Sequence, residues 1–269
     1  MKVPIFSTAA EKVSEIELPV QFSEPVRLDL IKRAALAVLS SLRQAYGADP
    51  EAGRRQGKAL PKFRRKYETT YGKGISRVAR KIMWHRGEQF GWVGARGAQT
   101  VKGLSAFAPK SDRMLAEKIN KKENRKAIRS ALSASTVLDL VKVRHKVDGV
   151  KFLPLVLEDS AEKMNKAREV FTLLGKLGLG EELSRTSERK IRAGRGKTRG
   201  RKYKKKSGPL VIVSKSCDLE KAARNIPGVS VVQVKSLNAA LLAPGASAGR
   251  LTVWTKPALE LLGKEKLFT

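Results

Sequence analysis

Arginine and lysine alternate with aromatic residues through a glycine-rich stretch of the sequence, residues 46–110. The densest examples are Phe63–Tyr67, Trp84–Arg86 and Phe90–Trp92. Cationic side chains neutralise phosphates, and aromatic rings and guanidinium planes stack on unpaired bases. Glycine lets a backbone approach a ligand closely. The composition therefore predicts a nucleic-acid-binding surface. The alternative is a solvated linker, which has no use for two tryptophans.

A second run of positive charge, Ile191–Lys206, also contains glycines. Within it, Gly196–Thr198 has the glycine, lysine and threonine of a P-loop. That motif also requires a glycine five residues before its second glycine, and a strand that turns into a helix. Because Ile191 occupies the glycine position and no strand is predicted before it, nucleotide hydrolysis is excluded. Phosphate binding through charge remains.

The positive charge of the chain is concentrated in these two places. Gly53–Lys110, the first basic segment, has 15 lysines and arginines and two acidic residues. Arg185–Lys206, the second basic segment, has 12 basic residues and one acidic residue. The 269-residue chain has a formal net charge of +31, and the two segments account for +24 of it. Because self-repulsion opposes a compact state, such charge indicates a polyanionic partner.

Residues suited to catalysis are few, since the chain has two histidines and one cysteine. His145 is predicted to be a structural residue, and Cys217 to pack near a helix start without a histidine that would activate it. Glu158 and Asp159 follow a predicted strand, where helix capping is favoured over catalysis. A single cysteine also excludes a cysteine-rich zinc site. We therefore expect no enzyme activity, no cofactor and no metal.

Membrane and export signals are also missing from the sequence. No apolar run approaches the roughly 20 residues that a membrane-spanning helix requires. The start of the chain, Met1–Phe6, lacks the apolar region of a signal peptide. We expect a cytoplasmic protein that does not contact a membrane.

Apolar periodicity outside the basic segments alternates between helices and strands. One helix is predicted at Arg27–Ala45, and another at Ala161–Leu177 with a stop at Gly178. Asn120–Glu123 has the form of a capping box that opens a third helix. Leu210–Val213 is apolar on both faces, as a central parallel strand is. The third helix is predicted to bury Ala127, Ile128, Ala131 and Leu132.

This alternation favours an α/β fold. We expect a three-layer Rossmann-like domain with a mainly parallel central sheet, spanning residues 1–269. It is interrupted by a long extended basic loop at 46–110 and by a shorter basic loop at 193–207. We expect the long loop to become ordered against a partner. Within it, helical spacing predicts one short amphipathic helix, with Ile75, Val78, Ala79 and Ile82 on its apolar face.

Four parts of the sequence resemble a known family. They are Asn120–Ser135, Ile191–Val213, Pro25–Ile31 and Pro244–Val253. Together they resemble the universal large-subunit ribosomal protein L four family, in its archaeal and eukaryotic branch. The resemblance covers most of the chain.

The resemblance implies a structural constituent of the large ribosomal subunit that binds 23S-type ribosomal RNA and supports subunit assembly. It also implies a long loop whose tip reaches the nascent-peptide exit tunnel. The implied partners are ribosomal RNA, other large-subunit proteins and the nascent peptide near the tip. Residues 71–92 differ from the glycine- and arginine-dominated tips of the family, so no side chain is assigned to the tunnel lumen.

The RNA contacts are expected from cations and tryptophans of the two segments. In the first segment they are Arg54, Arg55, Lys58, Lys62, Arg64, Arg65, Lys66, Lys73, Arg77, Arg80, Lys81, Trp84, Arg86, Trp92, Arg96, Lys102 and Lys110. In the second they are Arg192, Arg195, Lys197, Arg199, Arg201, Lys202, Lys204, Lys205 and Lys206.

Two other hypotheses remain open from the residues alone. An RNA-modifying enzyme on a Rossmann-like sheet needs a glycine-rich turn after the first strand, and Phe6–Ala10 has no glycine. A DNA-architectural protein needs a helix or ribbon of the size of a groove, whereas the basic segments are predicted to be irregular.

Overall fold

The computed structural model describes residues 1–56 and 63–269. The chain forms two compact units: a core unit of Met1–Leu42 with Ala116–Thr269, and an insertion unit of Arg43–Leu115. The strands are β1 (Lys2–Phe6), β2 (Lys12–Glu17), β3 (Arg80–Arg86), β4 (Gln89–Gly94), β5 (Leu155–Leu157), β6 (Lys190–Ile191), β7 (Tyr203–Lys204), β8 (Leu210–Val213), β9 (Ser230–Gln233) and β10 (Thr252–Thr255). The helices are α1 (Leu28–Ser41), α2 (Lys121–Ala134), α3 (Leu138–Lys142), α4 (Ala167–Leu174), α5 (Gly180–Ser187), α6 (Asp218–Arg224), α7 (Ala239–Leu242) and α8 (Lys256–Lys264).

A six-stranded sheet in the order β2-β1-β5-β10-β8-β9 forms the centre of the core unit. Within this sheet, each adjacent pair among β1, β5, β10, β8 and β9 is parallel. The edge strand β2 is antiparallel to β1. The predicted α/β class with a mainly parallel sheet is therefore confirmed. The predicted strand Leu210–Val213 is β8 with the same bounds, and all four of its residues are buried.

Two hydrophobic clusters lie on opposite faces of this sheet. Along β8, Leu210 and Ile212 belong to the first cluster, whereas Val211 and Val213 belong to the second. Successive side chains of a strand point to opposite faces, so this alternation assigns one cluster to each face. Helices α1, α2, α7 and α8 complete the first cluster, and α3 to α6 complete the second. In the described ranges, no helix has the length and apolarity needed to cross a membrane.

Helix α2 begins where the sequence predicts, but without the predicted capping box. Asn120 precedes the helix, and its side chain makes no capping hydrogen bond. The Glu123 carboxylate instead forms an ion pair with Arg33 of α1, at 3.2 Å. The predicted inner face of α2 is confirmed, since all four of its members are buried: Ala127, Ile128, Ala131 and Leu132.

The helix predicted at Ala161–Leu177 is wrong at its start, whereas its predicted stop at Gly178 is confirmed. Its first residues form a 3₁₀ turn, and α4 begins only at Ala167. Helical backbone continues through residues 175–177 and breaks at Gly178, whose φ of 86° separates this helix from α5. A side chain at this break would collide with Gly149, whose carbonyl oxygen would lie 2.6 Å from the added Cβ. Glycine is therefore required at position 178 for both conformation and close packing.

Candidate nucleic-acid interface

The insertion unit contains a β-hairpin in which β3 and β4 pair antiparallel. The amphipathic helix predicted from Ile75 to Ile82 is therefore wrong: residues 75–79 are irregular, and Arg80 begins a strand. The run around Trp84 is rich in side chains that favour strands, and pairing with β4 satisfies its backbone groups. The helical spacing of the four apolar residues therefore did not indicate a helix.

A two-residue loop, Gly87–Glu88, joins the two strands, since Arg86 pairs with Gln89. Gly87 has a φ of 57°, which suits glycine at the first position of a tight hairpin loop. The register shifts between Ile82 and Trp84. The Gly-Glu pair between two runs rich in aromatic residues was the sequence signal for this hairpin, and sequence reasoning missed it.

Aromatic rings form a stack on one face of the hairpin. Phe90 and Trp92 are nearly parallel, with ring centroids 5.6 Å apart and an interplanar angle of 14°. Tyr67 meets Phe90 edge-on at 5.6 Å, and the Lys73 ammonium lies 4.9 Å from the centre of the Trp92 ring. Within the described residues, the Trp92 indole nitrogen has no hydrogen-bond partner. This face therefore presents ring edges and a cation close together.

Trp84 lies over the opposite face of the same hairpin. It pairs with Gly91, and a Cβ built on Gly91 would lie 2.2 Å from the Trp84 indole nitrogen. Glycine at position 91 therefore makes room for the indole. Trp84 remains 56% exposed, so part of its ring is free to contact a ligand. The two predicted tryptophans are thus on opposite faces, with Trp84 exposed and Trp92 half-buried.

Glycines bring three parts of the insertion unit into backbone contact. A Cβ on Gly53 would lie 2.4 Å from the Gly103 carbonyl carbon, and one on Gly103 would overlap the Gly97 carbonyl oxygen. The Arg96 guanidinium donates to the carbonyl of Arg54 at 3.2 Å and closes the same junction. Larger residues would separate these segments, so this junction fixes the backbone that carries the cations.

Most cations predicted in the first basic segment have exposed side chains. Arg80, Lys81 and Arg96 are half-buried. Arg55 is exposed but paired with two carboxylates of the same unit, so its charge is partly offset. Lys58 and Lys62 lie outside the described residues. The other exposed cations are Arg54, Arg64, Arg65, Lys66, Lys73, Arg77, Arg86, Lys102 and Lys110.

The second basic segment contains a smaller hairpin of β6 and β7. One strand, Lys190–Ile191, lies just before the predicted loop 193–207, and the other, Tyr203–Lys204, lies within it. The amide of Arg192 donates to the Lys202 carbonyl at 2.8 Å and extends the pairing. Although β6 does lead into the Gly196 region, turns follow it rather than a helix. The P-loop therefore remains excluded, because that motif requires a helix.

The connection between β6 and β7 is rich in cations, and two cations flank Tyr203. Arg189 and Lys202 lie 5.8 and 5.5 Å from the centre of the Tyr203 ring. Lys206 is half-buried and forms an ion pair with Glu188 at 2.6 Å. The remaining predicted cations are exposed: Arg192, Arg195, Lys197, Arg199, Arg201, Lys202, Lys204 and Lys205. This surface is suited to a chain of phosphates.

A buried carboxylate supports the base of this hairpin. Glu182 of α5 accepts two hydrogen bonds from Arg185, at 2.7 and 2.8 Å, and a third contact of 2.6 Å joins it to His145 Nδ1. The Lys146 amide adds another at 3.0 Å. Arg185 also donates to the Ser207 carbonyl, at 2.8 Å, where the second basic segment meets β8. His145 is buried and held at Nδ1, as a structural residue is, but its Nε2 has no hydrogen-bond partner among the described residues.

Titration of this cluster follows from its burial and its hydrogen bonds. Burial alone would raise the pKa of Glu182, but hydrogen bonds from Arg185, His145 and the Lys146 amide outweigh it and lower that pKa to about 2. Burial lowers the pKa of His145, and this effect is larger than the increase that the contact with Glu182 causes. At neutral pH the cluster therefore holds a carboxylate, a guanidinium and a neutral imidazole.

The carboxyl ends of β8 and β10 are where an α/β enzyme would bind its substrate. Glu162 fills this position by accepting hydrogen bonds from the Ser214 amide at 3.0 Å, the Ser214 hydroxyl at 2.9 Å and the Thr255 hydroxyl at 2.6 Å. Burial raises the pKa of the Cys217 thiol, which is the opposite of activation. In the part of the chain that the structure describes, no group of three potential metal ligands occurs.

Comparison with known proteins gives one consistent result. The family model of the Ribosomal protein L4/L1 family matches residues 16–265. Large ribosomal subunit protein uL4 of Nanoarchaeum equitans is 50% identical over 270 residues, with 100% of both chains covered. The protein of the same name in Methanocaldococcus jannaschii is 43% identical and covers 97% of this chain and 98% of its own. That of Archaeoglobus fulgidus is 43% identical, covering 98% and 99%. These relatives are named as ribosomal proteins, not as enzymes.

Proposed function

Because the chain belongs to the Ribosomal protein L4/L1 family, we propose that it is a structural constituent of the large ribosomal subunit that binds 23S-type ribosomal RNA. The observation that carries this proposal is the display of exposed cations on two hairpins, one of which also bears stacked aromatic rings. Ribosomes of the cytoplasm are then its site of action, and other large-subunit proteins are its neighbours.

Charge neutralisation is the main contribution of the second basic segment. In its connection from Arg192 to Lys202, every residue except Gly196 is exposed, and none has a large apolar side chain. Each phosphate that a lysine or arginine neutralises releases counterions, so affinity falls as salt concentration rises. The Glu182–Arg185 cluster holds the base of the hairpin, so that these charges are presented from a fixed support.

Base stacking is the further contribution of the insertion unit. Single-stranded RNA offers unpaired bases, and aromatic side chains bind them with little regard to sequence. Trp84 and the Phe90–Trp92 stack supply such rings on the two faces of one hairpin. The loop 46–110 then acts as an RNA-binding extension of a single α/β domain, whose second extension is the basic loop 193–207.

The tip of the insertion unit is the part that reaches the nascent-peptide exit tunnel in this proposal. Support comes from family membership and from the length of the insertion. A deeply inserted loop predicts that the protein stays on large subunits during washes at moderate salt. Release of the wild-type protein under those conditions would count against tunnel insertion, but not against RNA binding.

We also propose that this α/β fold has a Rossmann-like arrangement. Parallel strands with helices on both faces support it, as does the crossing order in which β10 lies between β5 and β8. The connection after β1 carries no nucleotide-binding glycine turn. The sheet therefore serves as a support rather than as a cofactor site.

Duplex DNA is the alternative partner. The observed hairpins support it more strongly than the sequence alone, because a DNA-architectural protein needs a helix or a ribbon. The prediction that both basic segments are irregular was wrong, because β3–β4 is a two-stranded ribbon of the kind that can enter a major groove. Stacked rings nonetheless favour unpaired bases, which a duplex does not offer.

A binding measurement separates the two partners. The full chain is titrated with protein-free large-subunit ribosomal RNA and with duplex DNA, each at several salt concentrations. We expect tighter binding to the RNA at every concentration, with the logarithm of affinity falling several units per logarithm of salt, about 0.7–0.9 for each contact. Equal or tighter binding to the duplex would overturn the proposal.

A further inference from the structure

A groove with a volume of about 480 Å³ lies in the core unit beside the base of the β6–β7 hairpin. Its walls come from parts of the chain that are far apart in sequence: the residues after α3, the end of α5, the hairpin itself and the turn at Pro244–Gly245. Six cationic side chains line it: Arg144, Arg185, Lys190, Lys204, Lys205 and Lys206. Three of them, Arg144, Arg185 and Lys190, were absent from the sequence-based set of RNA contacts.

Carboxylates offset only part of this charge within the described residues. Arg185 binds Glu182, and Lys206 binds Glu188. Lys190 and Lys204 face each other directly across the β6–β7 pair. Like charges in opposed positions destabilise a strand pair unless an anion lies between them or nearby. The cations without a carboxylate partner in the described ranges are Arg144, Lys190, Lys204 and Lys205.

Arg144 is the least satisfied of these cations. It is half-buried, and its Nε is enclosed without a hydrogen-bond partner among the described residues. One of its terminal nitrogens reaches the Ser247 carbonyl at a long 3.4 Å. Burial and the charge of Arg185 lower the pKa of Arg144. The guanidinium therefore has one long contact to a protein acceptor, and an oxyanion in the groove would be a stronger acceptor for its terminal nitrogens.

A second arginine, Arg250, is buried in the core unit, and its charge interacts with that of Arg144. Arg250 is 3% exposed and donates to the carbonyls of Gly208 and Leu241, at 3.0 and 2.8 Å. Burial, followed by the charge of Arg144, lowers the pKa of Arg250 to about 10. Neutral carbonyls satisfy its donors without cancelling its charge. The positive potential at the groove is therefore built from inside the core unit as well as from the surface.

We propose that this groove binds a phosphate of the RNA backbone, with Arg144 as its deepest contact and Lys190 and Lys204 at its rim. The inference rests on the proposed function for its partner and adds a specific site to it. A strand of RNA bound along the second basic segment would pass the groove, because Lys204–Lys206 belong to both. This continuity favours a backbone phosphate over a free anion.

The test compares Arg144→Gln with two matched variants in the full chain. Arg144→Lys keeps the charge, and Lys142→Gln removes an exposed charge two residues away, at the end of α3. Affinity for protein-free large-subunit ribosomal RNA is measured at several salt concentrations. We expect Arg144→Gln to weaken binding about 10-fold and to reduce the salt slope by about 0.7–0.9. Arg144→Lys should keep the slope, and Lys142→Gln should match the wild type.

A second variant guards against loss of folding, which is checked by the midpoint of urea unfolding. The double change Lys190→Gln and Lys204→Gln alters only exposed side chains and should reduce the slope by about 1.5. Unchanged slopes in the double variant and in folded Arg144→Gln would overturn the groove while leaving RNA binding by the hairpins intact. Failure of the wild type to bind the RNA would overturn both proposals.

Discussion

Arg185 and Glu182, three residues apart on α5, are joined by two hydrogen bonds, from Arg185 Nε at 2.8 Å and Nη2 at 2.7 Å. The carboxylate is fully buried, whereas the guanidinium is 21% exposed and also holds the Ser207 carbonyl. This pair connects the packed interior of the core unit to the end of the second basic segment. The base of the β6–β7 hairpin is therefore held in place.

Glu182→Gln should destabilise the protein by about 3 kcal/mol, because it leaves the Arg185 guanidinium without its buried counter-charge. The free energy of unfolding in urea is the measurement. Glu181→Gln, an exposed change at the preceding residue, is the control and should shift it by less than about 0.5 kcal/mol. Equal effects of the two changes would show that the buried pair does not stabilise the fold.

Acidification should destabilise the protein in two steps. The pKa of His145 is lowered in the folded state, so its contribution declines as pH falls below the ordinary value of 6.5, where the unfolded chain takes up a proton. The pKa of Glu182 is lowered from 4.5 to about 2, so its contribution of about 3 kcal/mol is present above pH 4.5 and is lost between pH 4.5 and 2.

Urea midpoints between pH 8 and pH 5 isolate the first of these steps. His145→Asn keeps a donor for Glu182 and removes the titrating ring, so its midpoint should change less with pH than that of the wild type. A variant that follows the wild-type pH curve throughout this range would contradict a buried neutral His145.

Trp84→Ala should weaken RNA binding about 5- to 150-fold, since stacking on one base is worth about 1–3 kcal/mol. Met83→Ala is the control, because this neighbouring residue of β3 is 63% exposed and has no ring. Its affinity should stay close to that of the wild type in the same titration. If both changes weaken binding equally, apolar contact rather than stacking accounts for the loss.

Neutralising four cations of the second basic segment should flatten the salt dependence of RNA binding. We expect the combined change of Arg192, Arg195, Lys197 and Arg199 to glutamine to lower the slope by about 3. The measurement is the RNA titration at several salt concentrations. The control neutralises four exposed cations around α4, and its slope should be that of the wild type: Lys163, Lys166, Arg168 and Lys176.

The sheet was predictable because the apolar pattern of its strands can be recognised within short stretches of the sequence. Leu210–Val213 is apolar on both faces, and that pattern at that length is typical of a buried strand in a parallel sheet. Helix starts were less predictable, since Ala161 lies in a 3₁₀ turn and α4 begins only at Ala167. The helical spacing of apolar residues runs through both parts and does not mark the boundary between them.

The site was predictable in composition but not in shape. Both basic segments follow from charge counting, whereas the β3–β4 hairpin was missed because helical spacing from Ile75 to Ile82 competed with the weaker signal of Gly87–Glu88. The groove at Arg144 was beyond sequence reasoning. Only the sheet topology brings that residue next to Lys190 and Gly245.

Residue-level crosslinking between protein and RNA in intact large subunits is the most direct test of RNA binding by the two basic segments. We predict crosslinks from the β3–β4 hairpin, including Trp84, and from Arg192–Lys202 in the second segment. The exposed cations around α4 should give few or none. Crosslinks confined to α4, or absent from both hairpins, would contradict the account.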